Sequence, residues 1–258
     1  MSKTFMIALT TYRELVRSRI LFVVIFFAVI LVAVSALFGT VTIGDQIKIV
    51  KDFGLMSISL CSTAFAMISG TALLNKELSR KTIYNILAKP VERWDFIVGK
   101  YLGMLATATL LVVLMSLGLE LFLLALEGHF SALVLEAALF IVFELIIICA
   151  AAIFFSSIVV TPVLAGLFTF GIFVAGRSCE YLLYFLYHEE TQSVFARTLL
   201  QLSYLALPHL DRLNISDNAV YGVGVSLAYV VLSLLHAVGY AAAMLVFAHL
   251  IFSRRDFN

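Results

Sequence analysis

The sequence predicts an all-α integral membrane protein, a bundle of six transmembrane helices. Three observations carry that expectation. Of the 258 residues, 63% are hydrophobic and 13% charged, with a mean hydropathy of +1.09, against about 45–50% apolar in a soluble domain. The apolar residues fall into six long segments, each sized for a membrane-crossing helix. Lys and Arg cluster between those segments on one side, as cytoplasmic loops do.

The same composition excludes other classes. A net charge of +1 gives no basic field for nucleic acid. Cys61, Cys149 and Cys179 are odd in number and widely spaced, with no CxxC pair, and suggest neither a disulfide framework nor a metal site. Barrel strands need alternating segments of about ten residues, whereas these segments are continuous and rich in Leu and Ala.

Residues 1–19 come first. In "FMIALTTYRELVRSR", Phe5, Ile7, Leu9, Tyr12, Leu15 and Val16 stand against Arg13, Arg17 and Arg19. That pattern predicts a basic amphipathic helix lying on the inner surface. The apolar run 20–41 follows. At about 22 residues it exceeds the roughly 7–15 of a signal peptide's core and suits a first membrane span. The second span, 54–74, carries Ser57, Ser59, Ser62, Thr63, Ser69, Gly70 and Thr71. Small residues let helix backbones approach in lipid, so this helix is expected inside the bundle.

The loop that follows concentrates charge. Six of the 17 Lys and Arg lie in the 26 residues 75–100, "NKELSRKTIYNILAKPVERWDFIVGK". Within 76–95, Leu78, Thr82 and Ile86 share a stripe that Ile83 and Leu87 extend, and Pro90 ends the helix. An apolar ridge with interspersed Glu77, Glu92 and Asp95 suits a protein groove better than bare lipid.

The third span, 96–126, is overlong and is expected to tilt or to project beyond the bilayer. Gly99 and Gly103 at its start form a GxxxG, a candidate close contact or dimer seam. The fourth span is 132–155 and the fifth 159–176, joined by the uncharged turn "SSIVVTP". There Ser156 and Ser157 are candidate caps and Pro162 suits a first helical turn. Residues 177–218 are too apolar for a linker of about forty residues. Tyr181, Tyr184, Tyr187 and Tyr204 suit short helices in or dipping into the outer interface. The sixth span is 219–252. With both termini cytoplasmic, twelve Lys and Arg lie inside and five outside.

Chemistry is sparse. The sequence has no GxxxxGK[ST] loop and no HExxH or i, i+4 histidine pair. Ser69 beside Gly70 lacks the surroundings of an intramembrane serine protease, so an enzyme is the weaker reading. Glu144, in the middle of the fourth span, is costly in lipid and is a candidate pathway or gate residue; Glu120 is a second. Two readings of Glu144 stay open: a carrier group of a secondary transporter or channel, and a buried carboxylate that locks helices together.

The loop also carries a resemblance. Glu77, Thr82, Ile83, Leu87, Lys89, Pro90, Val91, Arg93, Phe96, Gly99, Lys100 and Gly103 fit the pattern between helices 2 and 3 of ABC type-2 permeases. The order of elements over residues 1–258, read as one transmembrane domain, resembles that family too. "LPHLDRLNISDNAVYG" resembles the branch containing the membrane subunit that helps mature nitrous oxide reductase. The resemblance implies a homodimeric exporter subunit in a bacterial inner membrane, without a catalytic site or cofactor of its own. Two partner ATPases would hold ATP and magnesium. Glu77, Arg80, Lys81, Thr82, Ile83, Leu87, Pro90 and Arg93 would form the coupling contact. The outer segment 177–218 is a candidate site for a periplasmic accessory protein.

Overall fold

The computed structural model describes residues 3–41, 46–79, 92–128, 130–159, 161–188 and 194–254. It is all-helical: no strand occurs among the described residues. In chain order the elements are α1 Lys3–Val16, α2 Arg19–Val41, α3 Gln46–Ser79, α4 Arg93–Glu127, α5 Ala132–Ile158 and α6 Pro162–Arg177. These are followed by α7 Cys179–His188, α8 Val194–Ala206, the 3-10 turn Asp211–Leu213, α9 Ser216–Tyr221 and α10 Leu227–Arg254. Among the described residues, four helices, α3, α4, α5 and α10, are long and apolar enough to cross a membrane, and α6 is a shorter apolar helix.

α5 is the centre of the bundle, with α3, α4, α6 and α10 packed around it. Its sequence explains that position. Ala150, Ala151 and Ala152 present almost no side chain and are fully buried, and Phe140, Leu145, Ile147 and Ile148 fill the spaces between neighbouring helices. In lipid this close packing, rather than escape from water, holds helices together. α3 supplies the matching surface: Ser57, Ser59, Ser62, Thr63, Ser69 and Thr71 are all buried. A Cβ on Gly70 would stand 2.6 Å from that of Ala152, so a glycine there sets the α3–α5 separation. The interior position expected for this helix is the one it takes.

The GxxxG of α4 has a different occupant from a dimer seam. α1 of the same chain lies along it: a Cβ on Gly99 would meet Ile7 at 2.8 Å, and one on Gly103 would meet the Ala8 carbonyl at 2.6 Å. Thr11 and Leu15 are buried beneath this contact, and the Thr4 hydroxyl donates to Asp95 Oδ1 at 2.6 Å. α1 is therefore docked on α4 as well as amphipathic.

The α5–α6 turn also differs in detail. Ser156 and Ser157 lie within α5, and the Ser157 hydroxyl bonds back to the Phe154 carbonyl at 2.6 Å. Pro162 occupies the first turn of α6, where its missing N–H costs nothing.

Candidate functional site

Arg80, Lys81, Thr82, Ile83, Leu87 and Pro90 lie outside the described residues, and Glu77 falls on the last turns of α3. Where the chain re-enters the described bundle, Arg93 Nη1 donates to the carbonyls of Phe252 at 3.1 Å and Ser253 at 2.6 Å. These carbonyls belong to the last described turn of α10, and the C-terminal end of a helix attracts a cation. One residue on, Trp94 meets His249 edge to face at 5.2 Å, and Phe96 stacks on Phe252 at 6.1 Å. The exit of the charged loop is thus clamped to α10 by Arg93 and to α1 by Asp95.

The most polar feature of the interior surrounds Glu144, which is 1% exposed. Counted from the turn that joins them, Glu144 and Arg177 stand at matching heights, 14 and 15 residues along antiparallel α5 and α6. Arg177 Nε donates to Glu144 Oε1 at 2.9 Å and Nη2 to Oε2 at 2.8 Å. Nη2 also donates to Ser59 Oγ at 2.7 Å, and the Ser59 hydroxyl faces Oε2 at 3.3 Å. The guanidinium lies 5.4 Å from the Phe173 ring, one turn back on α6.

This arrangement links three helices. A fork-to-fork pair satisfies both carboxylate oxygens at once, the strongest geometry such a pair has. An unpaired charge at this depth costs roughly 2.5–3.5 kcal/mol on insertion scales, so each ion secures the other. Sequence reasoning placed Glu144 but not its partner, because Arg177 counted among the residues of the outer segment.

Two further glutamates accept backbone amides across turns. Glu120, 3% exposed, accepts the Ser131 amide at 3.4 Å across the α4–α5 turn. Glu136 accepts the Val225 amide at 3.2 Å, ahead of α10. Neither bond involves Glu144 or Arg177.

A residue-by-residue match to a family profile now bears on this helical bundle. The profile described as "ABC-2 family transporter protein" matches residues 5–257. The chain belongs to the ABC-2 transporter family. Its relatives are membrane transport subunits that typically work with an ABC ATPase, which fits the apolar bundle. No curated protein matches the chain.

A second polar cluster sits just beyond the Arg177 link. The last turn of α6 ends at Gly176, where a Cβ would stand 2.7 Å from the Pro208 carbonyl and 2.8 Å from Leu210. Only glycine permits that approach, and the Leu210 amide uses it to reach the Gly176 carbonyl at 3.1 Å. The loop is also held from α10: Tyr229 donates to the Arg212 carbonyl at 2.6 Å and Tyr240 to that of Leu207 at 3.1 Å. As a result His209 and Asp211, on either side of Leu210, face Cys179 at the head of α7. Burial pushes the Cys179 thiol up to about 11, with Asp211 adding to the shift and Arg212 opposing it. Burial likewise lowers the proton affinity of His209; Arg212 adds to the effect and Asp211 opposes it. At neutral pH the pair is a thiol and a neutral imidazole.

Proposed function

We propose that the chain is the permease subunit of an ATP-binding cassette exporter, driven by a separate ATPase through the loop 76–95. On this reading it crosses a bacterial inner membrane six times, with α2 and α6 joining the four longer helices and both termini cytoplasmic. Two copies form the translocation path, and two ATPases hold ATP and magnesium. Family membership over residues 5–257 supports the permease reading. The observation that carries the coupling is the clamp at the loop's exit. A push on the loop reaches α10 through Arg93 and α1 through Asp95 and Thr4, before it travels along α4. Placement in the branch of the nitrous oxide reductase maturation permease rests on the segment 207–222 and belongs to the same proposal.

Glu144 and Arg177 have a mechanical role in this scheme. With Ser59 they make α3, α5 and α6 move as one body when the bundle rocks between its two states. A carrier carboxylate must release its ion during each cycle, and the two-pronged grip of Arg177 favours the lock over that alternative. The testing experiment is reconstitution of the chain with its ATPase in lipid vesicles. ATP hydrolysis should be accelerated by transported substrate and should drive substrate across or out of the bilayer. Substrate movement that follows an ion gradient and ignores ATP would favour the secondary-transporter reading.

A further inference from the structure

We infer that Cys179, His209 and Asp211 form a binding site for one borderline divalent metal ion of the zinc class. Their ligand atoms lie within 4.8 Å of one another, drawn from the head of α7, the loop ahead of the 3-10 turn and the first residue of that turn. Thiolate, imidazole and carboxylate form the donor set that suits zinc, and three protein ligands leave a fourth position for water or an incoming group.

Two independent features point to a ligand. His209 Nδ1 and Asp211 Oδ1 are buried and have no hydrogen-bond partner among the described residues. Buried polar atoms are normally satisfied, and an ion between these side chains would satisfy both. The backbone is also built to hold the loop here. The Gly176 contact presses Pro208 and Leu210 onto α6, while Tyr229 and Tyr240 fix the carbonyls on either side. Behind His209, the His236 ring lies parallel at 6.1 Å, with its Nε2 also buried and unpartnered among the described residues.

Binding displaces the thiol proton of Cys179 to solvent and joins the thiolate to the metal. The ion then ties α7 to the loop before α10, two residues from the Arg177 link. The site stands independently of the permease reading, since its test needs neither ATPase nor substrate.

The test uses the full-length chain without a histidine tag, in detergent, titrated with Co2+. One Co2+ per chain should bind with a thiolate-to-cobalt charge-transfer band that Zn2+ abolishes. Cys179→Ser should remove the band. His209→Ala and Asp211→Asn should weaken binding by at least the roughly 10–100-fold that loss of even an outer-shell partner costs. Absence of the band from the wild-type chain, or unchanged binding in Cys179→Ser, overturns the site. A second measurement needs no variant: Zn2+ should slow alkylation of Cys179 while leaving Cys61 and Cys149 unaffected. Equal Cys179 rates with and without Zn2+ overturn the site.

Discussion

Arg177 grips Glu144 through two hydrogen bonds of 2.9 and 2.8 Å inside a bundle whose other contacts are mostly apolar. Losing one partner leaves the other charge uncompensated, at a cost of about 3–5 kcal/mol. Glu144→Leu should destabilise the chain by an amount in the lower part of that range, because the Arg177 left behind retains 27% exposure, and Arg177→Met by more, because the Glu144 left behind is 1% exposed. The double variant should recover most of the loss, as seen by unfolding in detergent. If the pair is a lock, the recovered double variant also transports; if Glu144 is a carrier, it folds and transports nothing.

The α1–α4 contact makes a second prediction. A valine at Gly103 would place atoms against the Ala8 carbonyl and the Thr11 Cβ, both 2.6 Å from a Cβ there. Backbone cannot yield as a flexible side chain does, so Gly103→Val should lift α1 off α4. Overpacking of this kind costs about 1–3 kcal/mol. Limited proteolysis at Arg13 should then run about tenfold faster or more, with the oligomeric state unchanged. A loss of oligomer with α1 still protected would restore the glycines to a dimer seam.

Arg93→Ala removes the charged donor from the end of α10. Hydrogen bonds to a charged group contribute roughly 1.5–3 kcal/mol. The account expects faster amide hydrogen exchange at the end of α10 and weaker coupling of ATP hydrolysis to transport. Exchange near residues 208–215, at the far end of α10, should stay as in the wild type.

That far end has its own test. The Tyr229 hydroxyl donates to the Arg212 carbonyl at 2.6 Å. Tyr229→Phe keeps the stacking on Phe140 at 5.8 Å and loses only this bond, at a cost of about 1 kcal/mol. Amides of residues 211–215 should exchange several-fold faster, with the Arg93 end of α10 unchanged.

Much of the architecture was legible in the residues. The long apolar runs mark their helices directly, because a backbone in lipid must satisfy its own hydrogen bonds. The small and hydroxylated residues of α3 forecast its interior place. Pairings between distant residues were not legible. Glu144 announced itself by its cost in lipid, but nothing local names a partner 33 positions away. Gly99 and Gly103 announced a close contact without saying which helix fills it. Cys179 is 30 residues from His209, and only the approach at Gly176 brings them together. The proposed coupling residues 80–87 carry the opposite lesson: their pattern is plain in sequence, and they lie outside the described residues.

The most direct measurement is capture of the ATPase. The chain and a cognate ATPase are co-expressed, and the complex is purified through the permease, as wild type and as Ile83→Asp with Leu87→Asp. Two buried apolar side chains contribute about 1.5–3 kcal/mol each, so charging both should reduce capture by more than about a hundredfold while the permease still folds and inserts. Wild-type capture with the apolar ridge charged would contradict the coupling role of the loop, and with it the central claim.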